Sequence, residues 1–247
     1  MLSVVIPAHN EEKNIVDTVN QLHSKLAEED VFHEIIVVND NSSDNTAHLV
    51  RDLASHSNYV FLVNNSPPNG FGFAVKKGLQ HANGQAIALF MADLSDSPSD
   101  LVKFYRVMEE KGVDCVFGSR FTKESTIIGY PKVKLVLNRV ANWFIKVLFG
   151  LKYNDVTNAF KLYRREVIEG VSPILSHHFN ITVELPLKAI IRGYTFVVCS
   201  NDWYNRRHGL SKLKIKEMGS RYMFIILYCF LEKWLSKGDY HSKPISR

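Results

Sequence analysis

Residues 87–98 have the sequence Ile87-Ala88-Leu89-Phe90-Met91-Ala92-Asp93-Leu94-Ser95-Asp96-Ser97-Pro98, an apolar run that ends in an acidic loop. Ligands of open α/β folds bind at the carboxyl edge of the sheet, so this loop would place Asp93 and Asp96 there. Their hard oxygen atoms suit Mg²⁺ or Mn²⁺ carrying a phosphorylated ligand. For Asp96 alone, an alternative is that it caps a helix predicted over Pro98–Lys111.

The first 118 residues alternate between strand and helix patterns. Helical spacing is seen, for example, in Ile15, Val19, Leu22 and Leu26, which fall on one face. Alternating strands and helices predict an α/β fold with a mostly parallel central sheet and helices on both faces. The strands are predicted at residues 2–7, 35–39, 59–63, 85–90 and 114–117.

Polar residues follow several of these strands and should meet at the same edge of the sheet. His9, Asn10 and Glu11 follow the first strand, and residues 39–46, rich in Asn, Asp and Ser, follow the second. Such side chains cap helices and form hydrogen bonds with ligands. A further turn at residues 69–74 begins a helix with two glycines, where a diphosphate could bind. The spaced-glycine pattern of dinucleotide-binding folds is absent from the first corner, so no nicotinamide cofactor is expected.

The length and composition are those of a globular protein with one large domain: 247 residues, 46% of them hydrophobic and 22% charged. Three widely separated cysteines predict neither a disulfide framework nor a zinc site. The amino terminus has no basic region before its apolar stretch, so a secretion signal is not expected and we predict a cytoplasmic protein. The longest apolar run, residues 222–231, is too short to cross a bilayer.

Two features of the second half of the chain predict peripheral contact with the inner face of a membrane. Positive charge gathers between Arg206 and Arg221, where six Lys or Arg residues accompany a single acid, Glu217. This charge suits an anionic membrane or a phosphate ligand, and a solvated helix face is the alternative. Residues 133–149 are predicted to form an apolar helix with one narrow polar stripe. One interpretation is that this helix is buried in the core or in a homo-oligomer interface. The other is that it lies at the membrane interface. A long helix that begins basic and becomes apolar is predicted at residues 213–235.

Seven segments occur in an order that is typical of one family. They are residues 4–12, residues 37–46, Asn69-Gly70-Phe71-Gly72, Ala92-Asp93-Leu94-Ser95-Asp96, Gly118-Ser119-Arg120-Phe121, residues 155–163 and residues 206–212. Together they resemble the family 2 glycosyltransferases, in particular the branch that contains dolichol-phosphate mannose synthases and related polyprenyl-phosphate glycosyltransferases. The resemblance covers residues 1–217 and implies a GT-A type nucleotide-sugar-binding domain there, followed by a C-terminal amphipathic helix and polar tail at residues 218–247.

The resemblance also implies roles for individual residues. Glu11 would reach the ribose of a GDP- or UDP-sugar, Asp40 would contact the base, and Asp93 would hold Mg²⁺ or Mn²⁺ on the diphosphate. The residues that would line the nucleotide are Pro7, Ala8, Asn10, Glu11, Asp40, Asn69, Gly70 and Ala92. Those that would lie beside the phosphates are Gly118, Ser119 and Arg120, together with Arg206, Ser211 and Lys212 from a later loop. Those that would face the acceptor are Asn158 and Lys161.

Two positions depart from the family pattern. Met91 stands where the first acid of the usual Asp-Ala-Asp metal loop is expected, and a thioether is a poor ligand for Mg²⁺ or Mn²⁺. Ser95, Asp96, the diphosphate and water would complete the coordination shell, since Mg²⁺ keeps several waters. His9 stands where a tyrosine is common, which would alter packing near the base. Glu184 matches a family acid to which the sequence assigns no clear role.

The expected reaction is transfer of the sugar, with inversion, to a polyprenyl or dolichyl phosphate. A phosphate acceptor is largely ionised at neutral pH, because its second pKa is about 6, so no strong base is required. Arg120, Arg206 and Lys212 would neutralise the phosphates. Asp155 is the candidate base if a proton has to be removed from the acceptor.

Two other functions are compatible with the same residues. The chain could transfer a sugar to a hydroxyl group of a lipid-linked glycan or polysaccharide, or it could be a non-catalytic subunit that only binds a nucleotide sugar. Nucleic-acid binding is not expected, because the acidic edge of the sheet would repel a phosphate backbone.

Overall fold

The central sheet contains seven strands within the residues that the computed structural model describes, which are 1–205, 215–236 and 239–240. In chain order, the strands of the protein are β1 (Leu2–Ala8), β2 (His33–Asn39), β3 (Val60–Asn64), β4 (Ala86–Leu89), β5 (Cys115–Ser119), β6 (Ile127–Ile128), β7 (Lys161–Arg164), β8 (Phe196–Ser200) and β9 (Trp203–Tyr204). The sheet order is β3-β2-β1-β4-β7-β5-β8, and all neighbours are parallel except the two pairs that include β7. Strands β6 and β9 form a separate parallel pair. The predicted α/β fold with a mostly parallel sheet is confirmed.

Helices cover both faces of this sheet, as the alternating pattern predicts. They are α1 (Ile15–Glu28), α2 (Thr46–Ser55), α3 (Phe71–His81), α4 (Pro98–Lys111), α5 (Lys132–Phe149), α6 (Arg165–Gly170), α7 (Ile181–Ile191) and α8 (Ile215–Leu235). Residues of α1, α2 and α4 belong to the core on one face, and residues of α3, α5, α7 and α8 belong to the core on the other. The four apolar residues that mark helix α1 in the sequence are all buried in the first of these cores.

The short strand β7 lies antiparallel between β4 and β5, and the sequence does not predict it. Its four residues begin with Lys161 and end with Arg164, so they show no apolar alternation. Lys161 is nevertheless buried, and its ammonium group donates to the backbone carbonyls of Val156, Asn158 and Thr182. Burial lowers the pKa of Lys161 to about 7. The strand is held in place by its pairing with β4 and β5 and by the hydrogen bond from Lys161 to Thr182, which are long-range contacts that no local pattern reveals.

Helix α5 leaves most of its large apolar side chains exposed and turns Asn138 and Asn142 of its polar stripe toward the rest of the domain. Asn138 accepts a hydrogen bond from the Thr157 hydroxyl at 2.6 Å and donates to the Tyr130 hydroxyl at 2.9 Å. Asn142, one turn further on, also contacts Thr157. The large apolar side chains that remain exposed are Val133, Val136, Leu137, Val140, Trp143, Phe144 and Val147. Ile145 and Phe149 are buried in the core together with Asn142, so the helix packs against the core on one side and leaves most of its other large apolar side chains exposed.

Helix α8 extends the exposed apolar surface of α5. It packs against α7, where Arg192 and Glu232 form a buried ion pair with an Nε–Oε1 distance of 2.7 Å, and it contacts α5. Its exposed apolar side chains are Met223, Phe224, Leu227, Leu231, Trp234 and Leu235, which together with those of α5 we call the apolar face. None of the helices that the structure describes has the combination of length and apolar character that a bilayer span requires. The domain boundary predicted after residue 217 falls inside α8.

Candidate active site

A cavity of about 1050 Å³ lies at the carboxyl ends of β1, β2 and β4. The acidic loop contributes Ala92, Asp93, Ser95 and Asp96 to its lining, and Arg120 lies there as well. The other predicted site residues that line it are Pro7, Ala8, Glu11, Asp40, Asn69 and Gly70. Asn10 and Asp155 are not among the lining residues, and Arg206, Ser211 and Lys212 lie outside the part of the chain that is described.

Asp40 connects two of the strand-to-helix corners to the glycine turn. One oxygen of its carboxylate accepts a hydrogen bond from the Asn65 side chain at 2.8 Å, and the other accepts one from the Gly70 backbone at 2.9 Å. The carbonyl of Asp40 lies 2.7 Å from Nδ1 of His9, so this ring nitrogen carries the proton and donates. Asp40 thus fixes the spacing of the residues that the resemblance assigns to the nucleoside.

Two carboxylates lie close together in the acidic loop, and each is at least nine-tenths buried. Oδ1 of Asp93 accepts a hydrogen bond from the Ser95 backbone at 3.1 Å. Burial, followed by the negative charge of Asp93, raises the pKa of Asp96 to about 8. Helix α4 begins after Ser97, and no side chain forms a hydrogen bond that caps it. The alternative of Asp96 as a helix cap is therefore not what the structure shows.

The donor set of the acidic loop fits a divalent cation that completes its shell with ligand and water oxygens. No group of three or more His, Cys, Asp or Glu side chains that could hold a metal occurs in the described ranges. Asp93 and Asp96 nevertheless provide hard oxygen donors whose mutual repulsion a cation relieves. Met91 also lines the cavity, so a thioether takes the place of a third carboxylate.

The guanidinium group of Arg120 forms a bidentate ion pair with the carboxylate of Asp155. The Nε atom of Arg120 lies 2.9 Å from Oδ2 of Asp155, and Nη2 lies 2.8 Å from Oδ1. Burial lowers the pKa of Arg120, but the charge of Asp155 and its hydrogen bonds to Arg120, together with Tyr130 and Asp96, raise it above its usual value, so the group stays protonated. Asp155 is itself fully buried, and both of its oxygens accept hydrogen bonds from Arg120. This geometry favours a role in positioning Arg120 over a role as a base.

Several lining residues were not identified from the sequence. Lys134 and Asn138, which belong to the inward-facing stripe of α5, lie in the same cavity as Arg120, and Tyr130 lies there too. The signal for them was the four-residue repeat of polar side chains in an apolar helix, which was interpreted only as amphipathicity. Asn158 lines the cavity as expected, whereas Lys161 lies behind the lining and holds the backbone of residues 156–158.

The cavity changes from polar to apolar along its length. Its acidic loop and cations lie at the inner end, next to the sheet, whereas α5 and α8 contribute apolar side chains. The apolar lining residues of the two helices are Leu137, Val140, Trp143, Phe144, Met223 and Ile226. Five of these, all except Ile226, also belong to the exposed apolar face, so the cavity is continuous with that surface. Such a cavity suits a ligand that is charged at one end and apolar at the other.

Comparison with known proteins agrees with this geometry. The profile of the family "Glycosyl transferase family 2" matches residues 3–171. The polyprenol monophosphomannose synthase of Mycolicibacterium smegmatis is 30% identical over 85% of this chain and 80% of its own. The dolichol-phosphate mannosyltransferase of Pyrococcus furiosus is 28% identical over 87% of this chain, which spans only 60% of that protein.

A solved structure supports the same fold. The crystal structure of glucosyl-3-phosphoglycerate synthase from Mycobacterium tuberculosis in complex with Mn²⁺, uridine-diphosphate and phosphoglyceric acid superposes with a TM-score of 0.69, covering 94% of this chain and 78% of the other. At 18% identity this likeness establishes the fold alone. With the family match, it confirms the GT-A architecture that the resemblance implied. The chain belongs to glycosyl transferase family 2, and it is a glycosyltransferase.

Proposed function

We propose that this glycosyltransferase moves a sugar from a nucleotide sugar to a polyprenyl phosphate at a membrane surface. The observation that carries the proposal is the cavity, which joins a polar, charged end at the sheet to an apolar end at α5 and α8. A polyprenyl phosphate has the same division into a charged head and an apolar chain. The two relatives named for polyprenol and dolichol phosphate support this acceptor class.

The donor occupies the part of the cavity beside the sheet. Asp40 and Glu11 contact the nucleoside, and the acidic loop lies by the diphosphate. Asp93 and Asp96, with Ser95, would hold Mg²⁺ or Mn²⁺ there. When bound, the cation supplies positive charge that stabilises the leaving nucleoside diphosphate. The base and the sugar are those of a GDP- or UDP-hexose.

The acceptor phosphate lies next to Arg120 and Lys134. Its oxygen is largely ionised at neutral pH and attacks the anomeric carbon directly, so the protein supplies alignment and charge. A new bond joins the acceptor oxygen to the anomeric carbon. The bond from that carbon to the donor phosphate breaks, and its electron pair leaves with the nucleoside diphosphate. Arg206 and Lys212, which lie outside the described residues, complete the cationic set in this proposal.

The proposal is tested by supplying radiolabelled GDP- and UDP-hexoses with Mn²⁺ and one acceptor at a time. A short-chain polyprenyl phosphate should receive the label as a phosphodiester-linked sugar that mild acid releases. Transfer only to a glycan hydroxyl, which gives an acid-stable glycoside, would contradict the phosphate acceptor and favour the second acceptor class. Transfer to neither acceptor from any of these donors would contradict the proposed function.

A further inference from the structure

The loop between α6 and α7, residues 171–180, presses against the glycine turn that begins α3. A Cβ atom added at Gly70 would lie 2.6 Å from the carbonyl oxygen of His177 and 2.8 Å from the ring of His178. The φ angle of Gly70 is 155°, which also favours glycine. We call residues 173–179 of this loop the clamp loop. Its His178 and Phe179 line the same cavity as Gly70.

The clamp loop also holds the first turn of α3. The carbonyl oxygen of His177 accepts hydrogen bonds from the backbone N–H groups of Gly72 at 3.0 Å and Phe73 at 3.3 Å. These are among the N–H groups that have no partner within a helix at its amino end. The rings of Phe73 and His177 stack with centroids 4.4 Å apart, and Phe71 stacks on Phe179 at 4.3 Å. The position of the turn therefore depends on the position of the loop.

A buried carboxylate on α7 fixes the clamp loop. One oxygen of Glu184 accepts a hydrogen bond from the Leu175 backbone at 2.8 Å, and the other accepts one from the Ser176 backbone at 2.7 Å. Lys188, one turn later, pairs with Glu184 at 2.7 Å and donates to the carbonyl of Pro173. Glu184 and Lys188 are fully buried, and neither lines the cavity.

We infer that Glu184 is a positioning residue for the nucleotide pocket. Its carboxylate holds the clamp loop, the clamp loop holds the turn at Gly70, and the Gly70 backbone donates to Asp40. The contacts thus run from α7 through the clamp loop and the glycine turn to the residue assigned to the base. This inference rests on the proposed donor pocket, and it gives a role to an acid that the sequence left without one.

The test compares nucleotide binding and steady-state kinetics in matched variants. Glu184→Gln replaces an acceptor oxygen by a donor and removes the charge that Lys188 requires. We expect its dissociation constants for GDP and UDP with Mn²⁺, and its KM for the donor, to rise about tenfold, which corresponds to about 1.4 kcal/mol. Its kcat and its KM for the acceptor should stay within twofold. Glu34→Gln is the control, because Glu34 is also a buried carboxylate that accepts a backbone N–H, but at the opposite edge of the sheet.

A second variant displaces the clamp loop without altering Glu184. An alanine at Gly72 would place its Cβ 2.6 Å from the backbone of His177, so the clamp loop has to move, while alanine itself favours the helix. Gly72→Ala should raise the dissociation constants for GDP and UDP with Mn²⁺, whether or not Glu184→Gln folds. If the wild type binds nucleotide and the folded variants bind it equally well, the positioning role is wrong. If the wild type binds neither GDP nor UDP, the proposed function fails, and this inference fails with it.

Discussion

At the scale of single residues, the neighbours of each buried acid of the site determine which role it can have. Asp155 has both oxygens on Arg120, and so it serves to orient a cation. Asp93 and Asp96 instead lie beside each other, where burial and mutual repulsion disfavour two negative charges. A bound cation would relieve this repulsion. Of these three buried acids, Asp155 thus positions Arg120, whereas Asp93 and Asp96 suit a ligand.

Replacing Asp93 by alanine should lower divalent-dependent sugar transfer by about 10²- to 10³-fold, the loss that is typical when one electrostatic stabiliser of a transition state is removed. Turnover measured over a range of Mn²⁺ concentrations checks this expectation. Asp17→Ala, which changes an exposed acid on α1, is the control and should keep its activity. Undiminished turnover of the Asp93 variant would contradict the assignment of Asp93 as a metal ligand.

Asp155→Asn distinguishes a positioning residue from a base. Loss of one partner of a buried ion pair costs about 3–5 kcal/mol of stability, so we expect lower stability together with a lower kcat. Because Arg120 is displaced and no proton acceptor is lost, the pH–rate profile should keep its shape while the rate falls at every pH. A variant whose profile loses its acidic limb would instead assign the role of base to Asp155.

At the scale of elements, the two edges of the sheet are built differently. At the amino edge, Glu34 of β2 accepts hydrogen bonds from the Ser3 hydroxyl of β1 at 2.6 Å and from the Asn83 backbone at 2.6 Å. At the carboxyl edge, the corners after β1, β2 and β4 line the cavity. Glu34 at the amino edge therefore serves only contacts within the protein, whereas the polar corners of the carboxyl edge also line a space that can hold a ligand.

Glu34→Gln should make stability less dependent on pH in the acid range. Burial raises the pKa of Glu34, but hydrogen bonds from Ser3 and Asn83 lower it by more, so the net pKa lies below its ordinary value of 4.5. The unfolded state then binds the proton more readily. The stabilising contribution is present above pH 4.5 and is lost as the pH falls through the pKa of the folded state. Chemical unfolding at a series of pH values should show a steeper loss for the wild type, and parallel curves would contradict the assignment.

At the scale of the whole molecule, the cavity of the candidate active site and the apolar face meet at α5 and α8. Helix α5 carries four cations, Lys132, Lys134, Arg139 and Lys146, and no acid. An exposed apolar surface next to positive charge is typical of proteins that lie on anionic membranes. The arrangement would bring the cavity mouth to the surface in which a polyprenyl acceptor resides.

Anionic liposomes should therefore sediment the protein at low salt and release it as the salt concentration rises. A variant with Val136→Glu and Val147→Glu places two charges on the apolar face outside the cavity lining, and it should lose most of this binding. Phe32→Glu changes an exposed apolar residue elsewhere and serves as the control. Equal sedimentation of all three proteins would contradict a membrane role for α5.

The parts of the fold that local pattern encodes were predictable, and those that depend on distant contacts were not. Polar residues that directly follow an apolar strand, such as Asn39-Asp40, can be placed at the carboxyl edge of the sheet from the sequence alone. The clamp loop meets Gly72 only because the chain returns about a hundred residues later. The apolar pattern of α5 does not distinguish a core helix from a helix at a membrane, because the orientation of the helix depends on contacts such as the hydrogen bond between Asn138 and Thr157. The positioning role of Glu184 is visible only in its backbone contacts.

The outward-facing side of α5 has a practical consequence for the protein in water. A continuous apolar surface of this kind promotes self-association, since two copies that cover each other remove it from solvent. Self-association and membrane binding would then compete for one surface. Detergent or lipid should dissociate an oligomer formed in this way and expose the mouth of the cavity. The activity of the protein in aqueous buffer should therefore rise when lipid is added, even at saturating acceptor.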